Sequence, residues 1–323
     1  MPTLGPFSGT ANQPVSPAEL ARLATMSLRA RIIIEGAYAG LHHNPRLGTA
    51  IEFSEHKEYA PGDDIRRLDW KAVGRQDRYY IKRYEDESEM RTFLLLDASA
   101  SMGYKNRGIS KLTYATYLAA ALAYLLGKQG DPAGLCLCDS AMRNYLPPSG
   151  RAGQVRDMLQ LLEGVQPSGT TDLGRALERI GDLAERKSLI LVFSDLLDLE
   201  PPVEGNVNRN TVATGPAAEH LAQLRQRGHD VVLFHLLDPD EIELPFEDLT
   251  EFLAVEPGDT RTLLCEPDDL RESFAQASRD FRDRWRQTCV QSRIEYRFAS
   301  TTEPPGNLLR TFIGHRQRQR MQG

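Results

Sequence analysis

Residues 93–104 read FLLLDASASMGY, and this stretch decides the fold. Four apolar residues, Phe93 to Leu96, run straight into Asp97, and Ser99 and Ser101 follow at two-residue spacing. A short apolar run bounded by a polar turn suits a strand buried on both faces, as in a parallel sheet. The polar triplet then lies at the strand's carboxyl end, the edge at which open α/β sheets bind ligands. Three oxygen side chains at alternate positions converge on one point if the loop curls. Oxygen-only ligation suits a hard divalent cation, and Mg²⁺ keeps near-octahedral geometry with several waters. The competing reading is a polar turn in which Asp97 and the serines cap the next helix.

Two later stretches complete such a site. Residues 169–173 read GTTDL and open a predicted helix over 172–185, and residues 188–195 read SLILVFSD, a second apolar strand ending in a carboxylate. The combination of D-x-S-x-S, a distant threonine and a distant aspartate resembles the metal-ion-dependent adhesion site of von Willebrand factor A-like domains. By position, the resemblance implies the ligands Asp97, Ser99, Ser101, Thr171 and Asp195. It also implies that the hydroxyls touch the metal, that one carboxylate acts through water, and that a partner's carboxylate fills an open position. The cation expected is Mg²⁺, with Mn²⁺ or Ca²⁺ as alternatives.

From residue 93 onward, predicted strands alternate with predicted helices, which implies a mainly parallel, doubly wound α/β sheet with helices on both faces. Helices are expected over 110–128, 217–227 and 268–292, and strands over 133–138, 230–237 and 294–298. Pro257-Gly258-Asp259 marks a hairpin. Cys136 and Cys138 fall at i and i+2 of one strand, so they read as small core residues on one face. The expected organisation is a mobile tail over 1–15, a smaller mixed extension over 16–91, a von Willebrand factor A-like domain over 92–302, and a terminal helix with a basic tail over 303–323. In the extension, Ser16-Pro17 starts a helix whose apolar spacing continues through Ile33. His42-His43 reads as a loop pair, because adjacent side chains point apart. Asp63, Asp64, Arg66 and Asp69 surround Trp70 in a charged stretch interleaved with aromatics. That cluster is either an ion-pair knot that fixes the extension or a surface that touches a partner.

The stretches from Arg46 (R-x-G-x-x-x-E-F), from Tyr59 (Y-x-P-G-D-D-x-R-x-L-D-W) and the D-A-S-A-S-M that follows resemble the bacterial family named domain of unknown function fifty-eight. Ala100 departs from that family's pattern, standing where glycine usually follows the first site serine. The resemblance implies a von Willebrand A-like domain. It also implies a partner, since such proteins are commonly encoded beside AAA+ ATPases of the MoxR type and are thought to act in assembling or activating other complexes.

Bulk properties restrict the function classes. Charged residues make up 26% of 323 residues, and the mean hydropathy is −0.43. No apolar run approaches the roughly 20 residues that span a bilayer. The first residues lack the basic and apolar regions of a signal peptide, so a cytoplasmic location is expected. The net charge of −6 gives no electrostatic reason to expect nucleic acid. Four cysteines in so long a chain are no disulfide framework. There is no Walker A motif, dinucleotide-binding G-x-G-x-x-G or nucleophile elbow. The expected function is therefore non-enzymatic: a metal-dependent module that binds a protein partner through its Asp or Glu and serves as adaptor to a MoxR-type ATPase. The alternative is a Mg²⁺-dependent phosphohydrolase with Asp97 as phosphoryl acceptor. Ser99 stands where phosphatases of the haloacid-dehalogenase type place a second aspartate.

Overall fold

The structure, a computed structural model, describes residues 15–41, 56–58, 80–82, 90–106, 108–184, 187–197 and 215–320. The chain divides into two compact units, one of residues 1–40 with 90–323 and one of residues 41–89. In the smaller unit the described residues form an antiparallel ribbon of β1 (His56–Glu58) and β2 (Tyr80–Lys82). The cluster of Asp63, Asp64, Arg66, Asp69 and Trp70, the His42-His43 pair and the stretch 1–14 lie outside the described residues.

The larger unit begins with α1 (Pro17–Ala21) and α2 (Met26–Leu41). It continues through β3 (Arg91–Asp97), α3 (Lys111–Gln129), β4 (Ala133–Cys138) and β5 (Met142–Ser149). Next come α4 (Gln154–Gly164), α5 (Leu173–Leu183), β6 (Ser188–Ser194), α6 (Gly215–Gln226) and β7 (Asp230–Leu237). The short α7 (Asp240–Glu243) leads to a separate ribbon of β8 (Thr250–Leu253) and β9 (Thr262–Cys265). The unit closes with α8 (Pro267–Gln291), β10 (Glu295–Ser300) and α9 (Pro305–Arg320).

Six strands form one sheet in the order β10-β7-β6-β3-β4-β5. All neighbours are parallel except β5, which returns antiparallel along β4. Counted from β3, the order is 3-2-1-4-5-6, so the chain reverses direction across the sheet between β3 and β6. The expected α/β class, mainly parallel and doubly wound, is what the chain adopts.

Side-chain alternation along each strand sends residues to opposite faces. Phe93, Leu95, Cys136, Cys138, Val231 and Leu233 pack with Leu177 and Ile180 of α5, Leu221 of α6 and Trp285 of α8. On the other face Phe193 stacks on Phe234 at 4.8 Å between centroids, and Phe312 of α9 meets Phe234 edge-on at 5.5 Å. The helices follow from local signals. The Ser110 hydroxyl accepts from Thr113 N–H to cap α3, the Asp172 carboxylate accepts from Arg175 N–H to cap α5, and Pro267 opens α8.

The amino-terminal helix departs from its expected continuity. It breaks after Ala21, and the Thr25 hydroxyl accepts from Leu28 N–H at 3.3 Å to begin α2. Arg29 braces the corner by donating to the Leu20 and Leu23 carbonyls at 3.1 and 2.7 Å. Arg29 also lies 5.6 Å from the Tyr117 ring centre of α3, and the Ile33 carbonyl approaches Gly306 of α9. The unit that holds the sheet thus also contains α1, α2 and α9.

At the β5 edge, a Cβ on Gly134 would lie 2.6 Å from both the Leu146 carbonyl oxygen and the Pro148 nitrogen. Only glycine allows β4 and β5 to approach so closely. Pro147 and Pro148 both fall within β5, and Gln154 donates to the Pro147 carbonyl.

Candidate metal centre

The carboxyl ends of β3 and β6 meet at the point where the strand order reverses. Leu96 pairs with Phe193 in register, which sets Asp97 beside Ser194. Asp97 is 1% exposed. One of its oxygens accepts from Ser99 N–H at 3.0 Å and the other from the Ser194 hydroxyl at 2.6 Å. The backbone then curls through a single 3₁₀ turn over Ser101–Gly103. Ala100 sits at φ −60°, ψ −36°, an ordinary right-handed conformation, so the curl needs no glycine there. Ser99 and Ser101 are buried, with their hydroxyl oxygens 3.1 Å apart.

Thr171 is brought in by backbone pairing. Ser168 N–H donates to the Ala98 carbonyl at 2.9 Å, Ala100 N–H donates to the Gly169 carbonyl at 3.0 Å, and Asp172 N–H donates to the Asp139 carbonyl at 3.2 Å. Gly169 has φ +74°, and a Cβ there would lie 2.9 Å from the Asp139 carboxylate. Gly169→Ala is therefore expected to cost about 1–2 kcal/mol in backbone strain and to displace the Thr171 loop. A Mn²⁺ titration of the folded variant, weaker than wild type, is the check; unchanged affinity would show that the loop's position does not matter.

Asp195 is fully buried beyond the end of β6. It accepts from Lys111 Nζ at 2.8 Å and from Leu197 N–H at 3.1 Å, and the Ser101 hydroxyl faces it. Leu196 is held at φ +60°, a strained conformation of the kind that gathers at functional sites. The structure thus gathers Asp97, Ser99, Ser101, Thr171 and Asp195 at one edge of the sheet.

Four neighbours escaped the sequence reading: Ser194, Lys111, Glu241 and Glu256. Lys111 is fully buried, and its ammonium donates to Glu241 as well as to Asp195. Glu241 also accepts from Asp238 N–H at 2.8 Å. The signal for Lys111 was present, since it carries the only charge between residues 111 and 127. Glu256, in the turn between β8 and β9, accepts from the Thr171 hydroxyl at 3.4 Å, and the Ser101 N–H faces the same carboxylate.

The electrostatics divide the acids. Burial would push the Asp195 carboxyl up, but Lys111 outweighs it and holds Asp195 below the usual carboxylate range. Burial and then the Asp195 charge raise Asp97 to about 7. Among the described residues, Lys111 is committed to Asp195 and Glu241 and no cationic side chain pairs with Asp97. A buried carboxylate with no counter-charge, beside three hydroxyls, fits a small hard divalent cation. Among the described residues no group of three or more His, Cys, Asp and Glu forms a metal cluster; the donor set here is mixed hydroxyl and carboxylate.

A family model described as "Protein of unknown function DUF58" matches residues 55–284. The chain belongs to that family. Relatives of the DUF58 chain include uncharacterized proteins of Mycobacterium tuberculosis (strain ATCC 25618 / H37Rv) and Mycobacterium bovis (strain ATCC BAA-935 / AF2122/97). Each is 27% identical over 266 residues, covering 81% of this chain and 78% of the relative. Among solved structures, the chain is similar to the conserved hypothetical protein BatB from Bacteroides thetaiotaomicron. That match has a TM-score of 0.45 and 15% identity and covers 71% of this chain and 99% of that one. It is also similar to an aerotolerance-related membrane protein from Bacteroides fragilis NCTC 9343, with a TM-score of 0.47 and 17% identity, covering 70% and 97%. In the DUF58 chain, no helix among the described residues is long and apolar enough to cross a membrane.

Proposed function

We propose that this DUF58 protein is a non-enzymatic, metal-dependent protein-binding module. In this reading Asp97, Ser99, Ser101 and Thr171 hold Mg²⁺ directly or through water, and Asp195 orients the hydroxyls. The observation that carries the reading is the isolation of Asp97: a buried carboxylate among hydroxyls, with no cationic side chain paired to it among the described residues and Lys111 shared by Asp195 and Glu241. A dication held directly by one carboxylate and otherwise by neutral hydroxyls stays strongly electrophilic, and an Asp or Glu from a partner protein completes its coordination as a charge-assisted contact. Both oxygens of Asp97 already accept hydrogen bonds at 1% exposure, which suits holding a cation better than attacking a phosphorus. The resemblance to proteins encoded beside MoxR-type ATPases makes such an ATPase, or its client, the first partner to test, in the cytoplasm.

The test is calorimetry with Mg²⁺ or Mn²⁺, followed by recovery of partner with and without chelator. Asp97→Asn keeps the shape of a group already inclined to be neutral, so it is expected to fold. Cation affinity is expected to fall at least about tenfold in Asp97→Asn and Ser99→Ala, and partner recovery to disappear in chelator. Equal recovery from chelator and from both folded variants would overturn the reading.

A further inference from the structure

We infer that Glu256 is a ligand supplied by the chain itself, the carboxylate that completes the cation's coordination until a partner's carboxylate replaces it. The inference rests on the metal-centre reading and adds a residue from outside the five named positions. Glu256 lies far along the chain from the D-x-S-x-S loop, yet its carboxylate accepts from Thr171 at 3.4 Å and faces the N–H groups of Ser101 and Thr171. It therefore sits against two members of the hydroxyl set at once. Asp195 is near enough to raise its pKa further, after burial.

The charge arithmetic favours a second acid. Lys111 is shared by Asp195 and Glu241, so Asp97 is the one carboxylate of the five named positions that is free of a cationic partner among the described residues, and a bound dication has room for a second direct carboxylate. Glu256 is the carboxylate placed to meet it, and a hard cation takes such an oxygen in preference to a neutral donor.

The ribbon that carries Glu256 is lightly held. It forms its own two-stranded sheet, and Leu253, Val255, Leu263 and Leu264 remain exposed. Its anchors to the rest of the unit include Phe252 packed edge-on against Phe246, whose carbonyl accepts from Arg271 at 2.7 Å. With so much of the ribbon already in water, withdrawing Glu256 exposes little new apolar surface, so exchange with an incoming acid is cheap.

The experiment uses the full chain with Mn²⁺ alone, read by calorimetry and by water-proton relaxation, which counts waters on the metal. Acetate then serves as the probe for an external carboxylate. Glu256→Gln keeps the size of the side chain, and Glu251→Gln on the same ribbon is the control. Expected for Glu256→Gln are Mn²⁺ affinity lower by about tenfold, higher relaxivity per bound Mn²⁺, and tighter acetate binding to the loaded protein than in wild type. If Ser99→Ala weakens Mn²⁺ binding while Glu256→Gln changes neither relaxivity nor acetate affinity, the cis ligand is wrong and the metal centre stands. If wild type and Ser99→Ala bind Mn²⁺ equally, the metal centre is wrong and Glu256 falls with it.

Discussion

Lys111→Met is expected to destabilise the protein by about 3–5 kcal/mol, the usual cost of stranding buried charge. The ammonium has no exposed surface and bridges Asp195 and Glu241, of which Asp195 is itself fully buried. Burial alone would pull the lysine pKa down, but the two carboxylates outweigh it and raise it. Methionine fills similar volume, so lost packing is a minor part of the effect. What remains is an acid held without its counter-ion, with Asp97 close by to repel it. In thermal unfolding this corresponds to a fall of about 10 °C for a chain of this size. Adding Asp195→Asn and Glu241→Gln to Lys111→Met should recover most of the loss, because a buried charged group replaced whole by neutral ones is close to neutral in energy. A single-variant loss below about 1 kcal/mol would mean that the three groups behave as a surface pair.

The second large effect is acid sensitivity from His235. Its imidazole is fully buried on β7, ringed by Phe281, Tyr296 and Phe298, with Tyr296 OH 2.6 Å from Nδ1 and the Asp195 backbone facing the ring. Burial lowers its pKa to about 3; Asp195 opposes the shift, and Lys111 and Arg282 reinforce it. The folded pKa therefore lies below the unfolded value of about 6.5. Above pH 6.5 neither state is protonated and the contribution to stability is complete. As the pH falls toward 3, the unfolded chain takes up a proton that the folded chain refuses, and stability drops by about 1.4 kcal/mol per pH unit. Asp97, raised to about 7 chiefly by burial, has the opposite sign, since the folded state holds its proton more tightly and gains on acidification. The two partly cancel in the wild type. The quantity to measure is thus the stability difference between wild type and His235→Gln, from urea unfolding at pH 7 and at pH 4.5. It should shift by about 3 kcal/mol in favour of the variant at the lower pH. A difference that stays constant across that range would show that the imidazole takes up its proton equally in the folded and unfolded states, and that burial does not lower its pKa.

The site and the sheet were legible for different reasons. Four consecutive apolar residues before Asp97 leave little choice but a strand buried on both faces. The same logic found β6 before Asp195, and the order of Asp97, Thr171 and Asp195 along the chain matched one site. Lys111 is a lone charge in an apolar stretch, but its position in the first turn of α3 accounts for a lysine without any link to the site. Its role depends on Glu241, which lies 130 residues away in an acidic stretch between two prolines and meets Lys111 only in three dimensions. Glu256 precedes a Pro-Gly turn, and nothing in its spacing connects it to Thr171; that link exists only in three dimensions. The break between α1 and α2 was hidden because apolar spacing continues through it, and one threonine cap decided the matter.

The two prolines of β5 reach beyond their own strand. An outermost strand with a full row of amides is a template on which another chain can extend the sheet. Pro147 and Pro148 supply no N–H, and the tight crossing over Gly134 disturbs the pairing register with β4. That side of the sheet is therefore a poor template for a second copy of the chain, because the end of β5 nearest Ser149 cannot offer an unbroken row of donors to an incoming strand.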